Sequence, residues 1–228
     1  MSASSTATRA LPLRFWQTTV GKKVVMAVTG VILFGFLVGH MAGNLQFFLG
    51  AEKINDYAQF LHHSLGLLWG TRLVLGVSLI LHIWAMVGLY KRSVRDARPE
   101  GYGKKSNRSR GLASVFMPIS GALVAAFVVF HLLHFTTGHA HPEFKDLEPF
   151  HNLTTAFRSF GVALVYVAAM AFICVHLVHG LWSFTQSLGL GHPGHSARGK
   201  KIAVAVGVLI ALGFAAIPIA VTLGLYPR

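Results

Sequence analysis

Long apolar runs separated by short polar stretches set the layout of this chain. Five runs contain no acidic residue: 24–49, 65–90, 112–138, 157–188 and 202–225. Each exceeds the roughly 18 residues needed to cross about 30 Å of hydrocarbon as helix. The pattern predicts an all-α integral membrane protein, a bundle of five transmembrane helices in a single membrane domain, residues 1–228. The fourth run is long enough to tilt or to project beyond the bilayer. Between the runs, residues 1–23 read as a polar lead-in with a short interfacial helix near Leu13 to Trp16. The stretch 50–64 mixes Glu52, Asp56, Tyr57, Phe60, His62 and His63 in a way that suits an interfacial amphipathic turn of helix. The next loop, with Pro99, Gly101 and Gly103, reads as partly extended. Pro118 is expected to kink the third helix. The fourth and fifth spans are joined by a Gly-His-Pro-Gly-His turn.

Within the first span Gly35, Gly39 and Gly43 share one helix face and flank His40. Such a face ordinarily packs another helix against it. It equally leaves room for the plane of a macrocycle beside a buried imidazole, and His40 alone does not decide between the two.

The charge pattern adds orientation. A formal charge of +13 would point to nucleic acid in a water-soluble protein. Here fifteen of the twenty basic residues fall in alternate polar stretches: Arg9, Arg14, Lys22 and Lys23 before the first span, eight between Lys91 and Arg110, and Arg198, Lys200 and Lys201 before the last. The other side has Lys53, Arg72, Lys145, Arg158 and Arg228. This is the positive-inside distribution. It predicts a cytoplasmic N-terminus, a C-terminus outside, a multi-pass protein of a bacterial-type cytoplasmic membrane, and no nucleic-acid partner. The first run is too long for a signal-peptide core and lacks a small-residue cleavage site, so it reads as a retained helix. Cys174 is the single cysteine, which excludes an intrachain disulfide, covalent Cys-x-x-Cys-His haem attachment and a thiolate-held iron–sulfur cluster within the chain.

Histidine is the candidate chemistry. Of thirteen, His62, His63, His139, His141, His151, His192 and His195 fall in loops or at interfaces. The other six lie in spans: His40 in the first, His82 in the second, His131 and His134 in the third, His176 and His179 in the fourth. Ionisable groups inside a membrane are costly and face a cavity, a partner or a cofactor. Counted from the cytoplasmic ends of the first and third helices, His40 and His131 lie about 17 to 19 residues in, or about 25–29 Å at about 1.5 Å per residue. The second and fourth helices run the other way, so His82 and His176 fall in the inner leaflet. Two pairs by depth result, His40 with His131 outside and His82 with His176 inside. Paired neutral imidazoles across a gap suit six-coordinate haem b, whereas zinc favours four close ligands at one level. His134 and His179 lie one turn from His131 and His176, and spacing alone does not choose within each couple, although depth slightly favours His131 and His176.

The pattern resembles the membrane-anchor cytochrome b subunit of succinate:quinone oxidoreductases, in its single-chain, five-helix, two-haem form. The matching residues are Gly39-His40-Met41-Ala42-Gly43-Asn44-Leu45, Leu81-His82-Ile83, Ser120-Gly121 followed by His131, and His176-Leu177-Val178-His179-Gly180-Leu181-Trp182-Ser183-Phe184. The resemblance covers nearly the whole chain. It implies His176, four residues before Gly180-Leu181-Trp182-Ser183, as the ligand rather than His179, and it implies the pairing of first with third and second with fourth helix. It further implies two haem b, with His40, His82, His131 and His176 as axial ligands to iron, and menaquinone or ubiquinone as substrate. The implied partners are an iron–sulfur subunit and a flavoprotein that together oxidise succinate in the cytoplasm.

Other expectations are looser. Gly39 and Gly43 are candidates for the wall against which the outer haem lies. Arg72, well inside the second span, is a candidate partner for haem propionates, with Arg158 assisting; the alternative for both is snorkelling to the interface. Glu52, Asp56, His62 and His63 are candidates for a quinone site needing an acid–base group. The basic inner loop fits an acidic partner or anionic lipid. The expected function is electron transfer between the iron–sulfur subunit and quinone in a succinate dehydrogenase, the dicarboxylate site lying on another subunit. Alternatives are a fumarate reductase anchor, a cytochrome b anchor of another membrane oxidoreductase, and a histidine-lined transporter. The transporter would call for repeats or midplane carboxylates, and none appears in the sequence.

Overall fold

The computed structural model describes residues 14–92, 112–187, 189 and 196–226, and among these the regular structure is entirely helical. Seven α-helices follow in order: α1 Thr19–Leu45, α2 Ala51–His63, α3 Leu65–Lys91, α4 Leu112–Phe135, α5 Pro149–Phe157, α6 Phe160–Ser187 and α7 Ser196–Thr222. α1, α3, α4, α6 and α7 contain the five stretches long and apolar enough to cross a membrane. Large apolar side chains on these helices point outward: Leu73 is 69 % exposed, Ile80 68 % and Leu209 64 %. Each such side chain forgoes about 1.5–3 kcal/mol in water relative to burial, a cost that lipid removes.

Local chemistry sets the ends. Thr18 caps α1 by accepting from the Gly21 N–H at 2.9 Å, so the helix starts at Thr19 rather than at the expected Val24. The interfacial helix expected near Leu13 to Trp16 is a 3-10 turn at Phe15–Gln17, and residues 1–13 lie outside the described residues. α1 tightens into a second 3-10 turn, Gln46–Leu49, and ends at Gly50, whose φ of +104° turns the chain into α2. α2 is the amphipathic helix expected there: Ile54 is buried, while Glu52, Lys53 and Asp56 face outward. α4 runs unbroken through Pro118 and stops at Phe135, three residues before the expected end, with Gly138 at φ +73° turning the chain back. Pro149 opens α5 in the first turn, where its missing N–H costs nothing. α7 begins at Ser196, six residues before the apolar run at 202. The loop expectations for 93–111, and the Gly-His-Pro-Gly-His turn with His192 and His195, lie outside the described residues.

The tightest packing joins α6 to α7, α1 to α3 and α4 to α6, with lighter contact of α1 to α6 and α7. Around the bundle the order is therefore α3, α1, α6, α4, with α7 outside against α1 and α6. This order puts α1 diagonally opposite α4, and α3 opposite α6. Small residues let α6 and α7 approach: Ala169, Ala211 and Ala215 pack with Met170 and Ile173. Trp182 contributes at the far end of the same interface, where the Lys200 ammonium lies 5.4 Å from its ring.

One end of the bundle is capped. α2 and α5 lie across it, and Phe47, Ile54, Leu153, Phe157, Tyr166 and Ile217 form its core. Phe150 N–H donates to Asn55 Oδ1 at 3.2 Å and the Tyr226 hydroxyl donates to Phe48 O at 3.1 Å. Buried Asn152 pins the preceding loop through Lys145, accepting its N–H at 2.8 Å and donating to its carbonyl at 2.7 Å. At the opposite end Arg92 ties α3 to α1, donating to Thr19 Oγ1 and Gln17 O at 2.9 and 2.7 Å.

Candidate functional site: two histidine pairs across the bundle

The four helices that surround the bundle axis each bring one histidine inward. His40 of α1 meets His131 of α4 with ring centroids 5.8 Å apart and planes at 82°. His82 of α3 meets His176 of α6 with centroids 6.4 Å apart and planes at 56°. These ring contacts join the first span with the third and the second with the fourth, one on each diagonal.

The separation carries chemical information. An imidazole nitrogen binds a metal ion at about 2 Å, so two rings on opposite sides of one metal have centroids roughly 6 Å apart. Both pairs have that spacing. Among the described residues, the Nδ1 atoms of His131 and His176 are buried without a hydrogen-bond partner. An orphaned buried polar atom of this kind costs about 1–3 kcal/mol, which is tolerated where a bound group repays it. Among the described residues no group of three or more His, Cys, Asp or Glu converges on one point, so the donor set fits two-point axial ligation and not a closed tetrahedral site.

The two pairs sit at distinct levels. A Cβ built on Gly30 of α1 would lie 3.4 Å from His82 Cε1, and one on Gly121 of α4 would lie 3.5 Å from His176 Cε1. Gly30 and Gly121 therefore mark the level of the second pair. His40 is ten residues beyond Gly30, and His131 is ten beyond Gly121. At about 1.5 Å per residue, both helices place the levels about 15 Å apart along the bundle.

The His40–His131 level lies toward the capped end and is walled by rings. Phe36 stacks on His40 at 5.2 Å, and Phe214 of α7 approaches it at 5.7 Å. Phe127, Phe135 and Tyr166 surround His131 at 5.9, 5.9 and 6.1 Å. A Cβ on Gly35 or Gly39 would meet nothing within 4 Å, so this part of the glycine face is open. Gly43 is different: a Cβ there would come within 2.7 Å of the Tyr57 ring, which α2 folds over it. Gly43 serves helix packing at the cap.

The two remaining span histidines separate clearly. His134 is 2 % exposed, hydrogen-bonds the Tyr166 hydroxyl at 2.9 Å and stacks on His141 at 4.9 Å. Its polar capacity is thus committed to the capped end. His179 is half-buried and belongs to none of the ring pairs among the described residues.

Other candidate residues scatter. Arg72 is exposed, with its guanidinium 5.0 Å from the Trp69 ring, the posture of a snorkelling side chain. Arg158 is exposed at the turn between α5 and α6. Glu52, Asp56, His62 and His63 all lie on the exposed face of α2, and His63 Nδ1 hydrogen-bonds its own helix at Gln59 O. An apolar groove of about 420 Å³ runs between α1 and α3, lined by Ile32, Phe36, Gly66, Gly70, Thr71 and Val74, and none of these candidates lines it. That groove adjoins the first pair through Phe36. Nothing in the spacing of these apolar residues distinguishes them from ordinary lipid-facing positions, which is why the sequence alone does not mark it.

No protein-family model, curated protein or solved structure matches the chain.

Proposed function

We propose that the chain is the haem-bearing membrane anchor of a succinate dehydrogenase, linking an iron–sulfur subunit and its flavoprotein on the cytoplasmic side to membrane quinone. The observation that carries the reading is the pair of diagonal histidine contacts at about 6 Å, set ten residues from a glycine marker on each of two helices. His40 and His131 would hold one b haem, and His82 and His176 the other. Haem b, when bound, supplies reversible one-electron transfer at a potential tuned by its surroundings.

The chain's own part is placement and insulation. α1, α3, α4 and α6 fix the ligand rings from outside the axis, so that each ring reaches inward from a rigid helix. Phe36, Phe127, Phe135 and Phe214 exclude water from the first level. The open face at Gly35 and Gly39 leaves space beside His40 for a planar group. Neutral imidazoles suit a low-dielectric interior, where a bare charge is costly. On this reading the capped end faces outward. The exposed Glu52, Asp56, His62 and His63 of α2 then exchange protons with bulk water, while the groove beside Phe36 offers an apolar berth for quinone. The basic residues at the other end face the cytoplasm, where they attract an acidic partner surface and anionic headgroups.

The reading is tested by purifying the full chain with its partners from native membranes and adding succinate. Reduction of a b-type haem by succinate, coupled to quinone reduction, is expected. A b-haem reduced by formate or hydrogen and not by succinate would assign the anchor to another oxidoreductase.

A further inference from the structure

The histidines of the second pair are cradled in the same way from two different helices. Thr29-Gly30 of α1 faces His82, and Ser120-Gly121 of α4 faces His176. A Cβ built on either glycine would meet the imidazole alike: 3.4 Å to Cε1 and 3.8 Å to Nδ1 at Gly30, 3.5 Å and 3.7 Å at Gly121. In each cradle a buried hydroxyl precedes the glycine, Thr29 at 5 % exposure and Ser120 at 2 %. Neither hydroxyl is absorbed by the account of ligands given above.

The hydrogen-bond inventory assigns directions. Thr29 Oγ1 donates to Val25 O at 2.7 Å and lies 3.1 Å from His82 Nδ1. A hydroxyl has one proton and two lone pairs. With its proton on Val25 O, Thr29 accepts from His82 Nδ1–H, which leaves His82 Nε2 as the free lone pair. Ser120 Oγ likewise donates down its own helix, to Met117 O at 3.1 Å, and keeps its lone pairs. His176 Nδ1, buried and unpartnered, lies against the adjoining Gly121. Among the described residues the first pair has no such device: no hydroxyl partners His40 or His131, His131 Nδ1 is unpartnered, and His40 is approached only by the Asn44 amide at 3.3 Å.

We infer that Thr29 is a positioning residue for the second pair, taking the Nδ1 proton of His82 and so fixing that ring with Nε2 toward the bundle axis. The inference rests on the proposed haem ligation. An imidazole that donates through Nδ1–H is a stronger base at Nε2, which favours ferric over ferrous iron. The two haems would thereby be tuned by different means, one by a hydroxyl acceptor on His82 and the other by aromatic walls.

The test is a spectroelectrochemical redox titration of the purified full chain in detergent, with EPR of the ferric haems. Thr29→Val keeps the shape and removes the acceptor. It is expected to move one titration wave to more positive potential, with a changed g-value for that haem alone. Affinity for that haem should fall by about 10–100-fold. Thr29→Ser, which restores the hydroxyl, should return the wave to its original position. A Thr29→Val protein that retains both haems with unmoved potentials would overturn the inference, as would Thr29→Ser behaving like Thr29→Val. A wild-type chain that binds no haem would overturn the ligation reading itself, and the inference with it.

Discussion

The two histidine levels are built from the same parts list and held by opposite means. At the first, His40 and His131 sit among Phe36, Phe127, Phe135, Tyr166 and Phe214, and the cap of α2 and α5 lies beyond them. At the second, His82 and His176 lie on Gly30 and Gly121, with Thr29 hydrogen-bonded to His82. A ring wall excludes water and sets the local dielectric, whereas a hydroxyl fixes a tautomer and a ring rotation. Two histidine pairs of the same composition would therefore set different potentials and exposures for a metal group bound between them. The ten-residue offset on both α1 and α4 keeps the levels apart, so each should be separable by mutation.

The largest expected effect comes from the ligands. His131→Ala should remove one of two haems and leave the other, and His176→Ala should do the reverse. Haem content per chain by pyridine haemochrome checks this. Loss of both haems from either variant, with helicity by circular dichroism unchanged, would mean that the levels are not independent.

A second substitution probes the open face. Leucine at position 39 starts from a Cβ with no protein neighbour within 4 Å, so the bare chain accommodates it and helicity should be kept. The haem of the first level should be lost, because the side chain takes its space, while the second-level haem remains. Retention of both would show that Gly39 is not part of that wall.

The smallest effect is at Tyr166. Tyr166→Phe leaves His134, 2 % exposed, without its hydroxyl partner. The cost should be about 1–3 kcal/mol, read as a lower thermal midpoint in detergent. Haem content should stay at two if His134, hydrogen-bonded to Tyr166 through Nδ1 and stacked on His141, takes no part in ligation. Loss of a haem would return His134 to the ligand set.

The spans and the pairing were legible because they depend on simple rules. Hydrocarbon demands long apolar helices, and alternating direction converts residue number into depth. The cap was only half legible. Stretch 50–64 reads as amphipathic, but nothing local says that Gly50 folds it back so that Tyr57 covers Gly43. The same fold-back leaves Glu52, Asp56, His62 and His63 on an exposed face, a matter of tertiary placement. Arg72 is ambiguous in sequence because a long side chain in a span can reach inward or outward; Trp69, three residues earlier, draws it outward. Thr29 went unnoticed because a lone threonine in an apolar helix commonly bonds its own backbone. Its signal was present in the parallel between Thr29-Gly30 and Ser120-Gly121, visible once a histidine is seen to lie on each glycine.

The central claim is that each diagonal pair holds one haem. It is tested most directly by a dithionite-reduced minus oxidised spectrum of the purified chain or complex, with haem quantified against protein. The account predicts b-type bands and two haems per chain. A colourless protein, or one haem per chain at full loading, would contradict it.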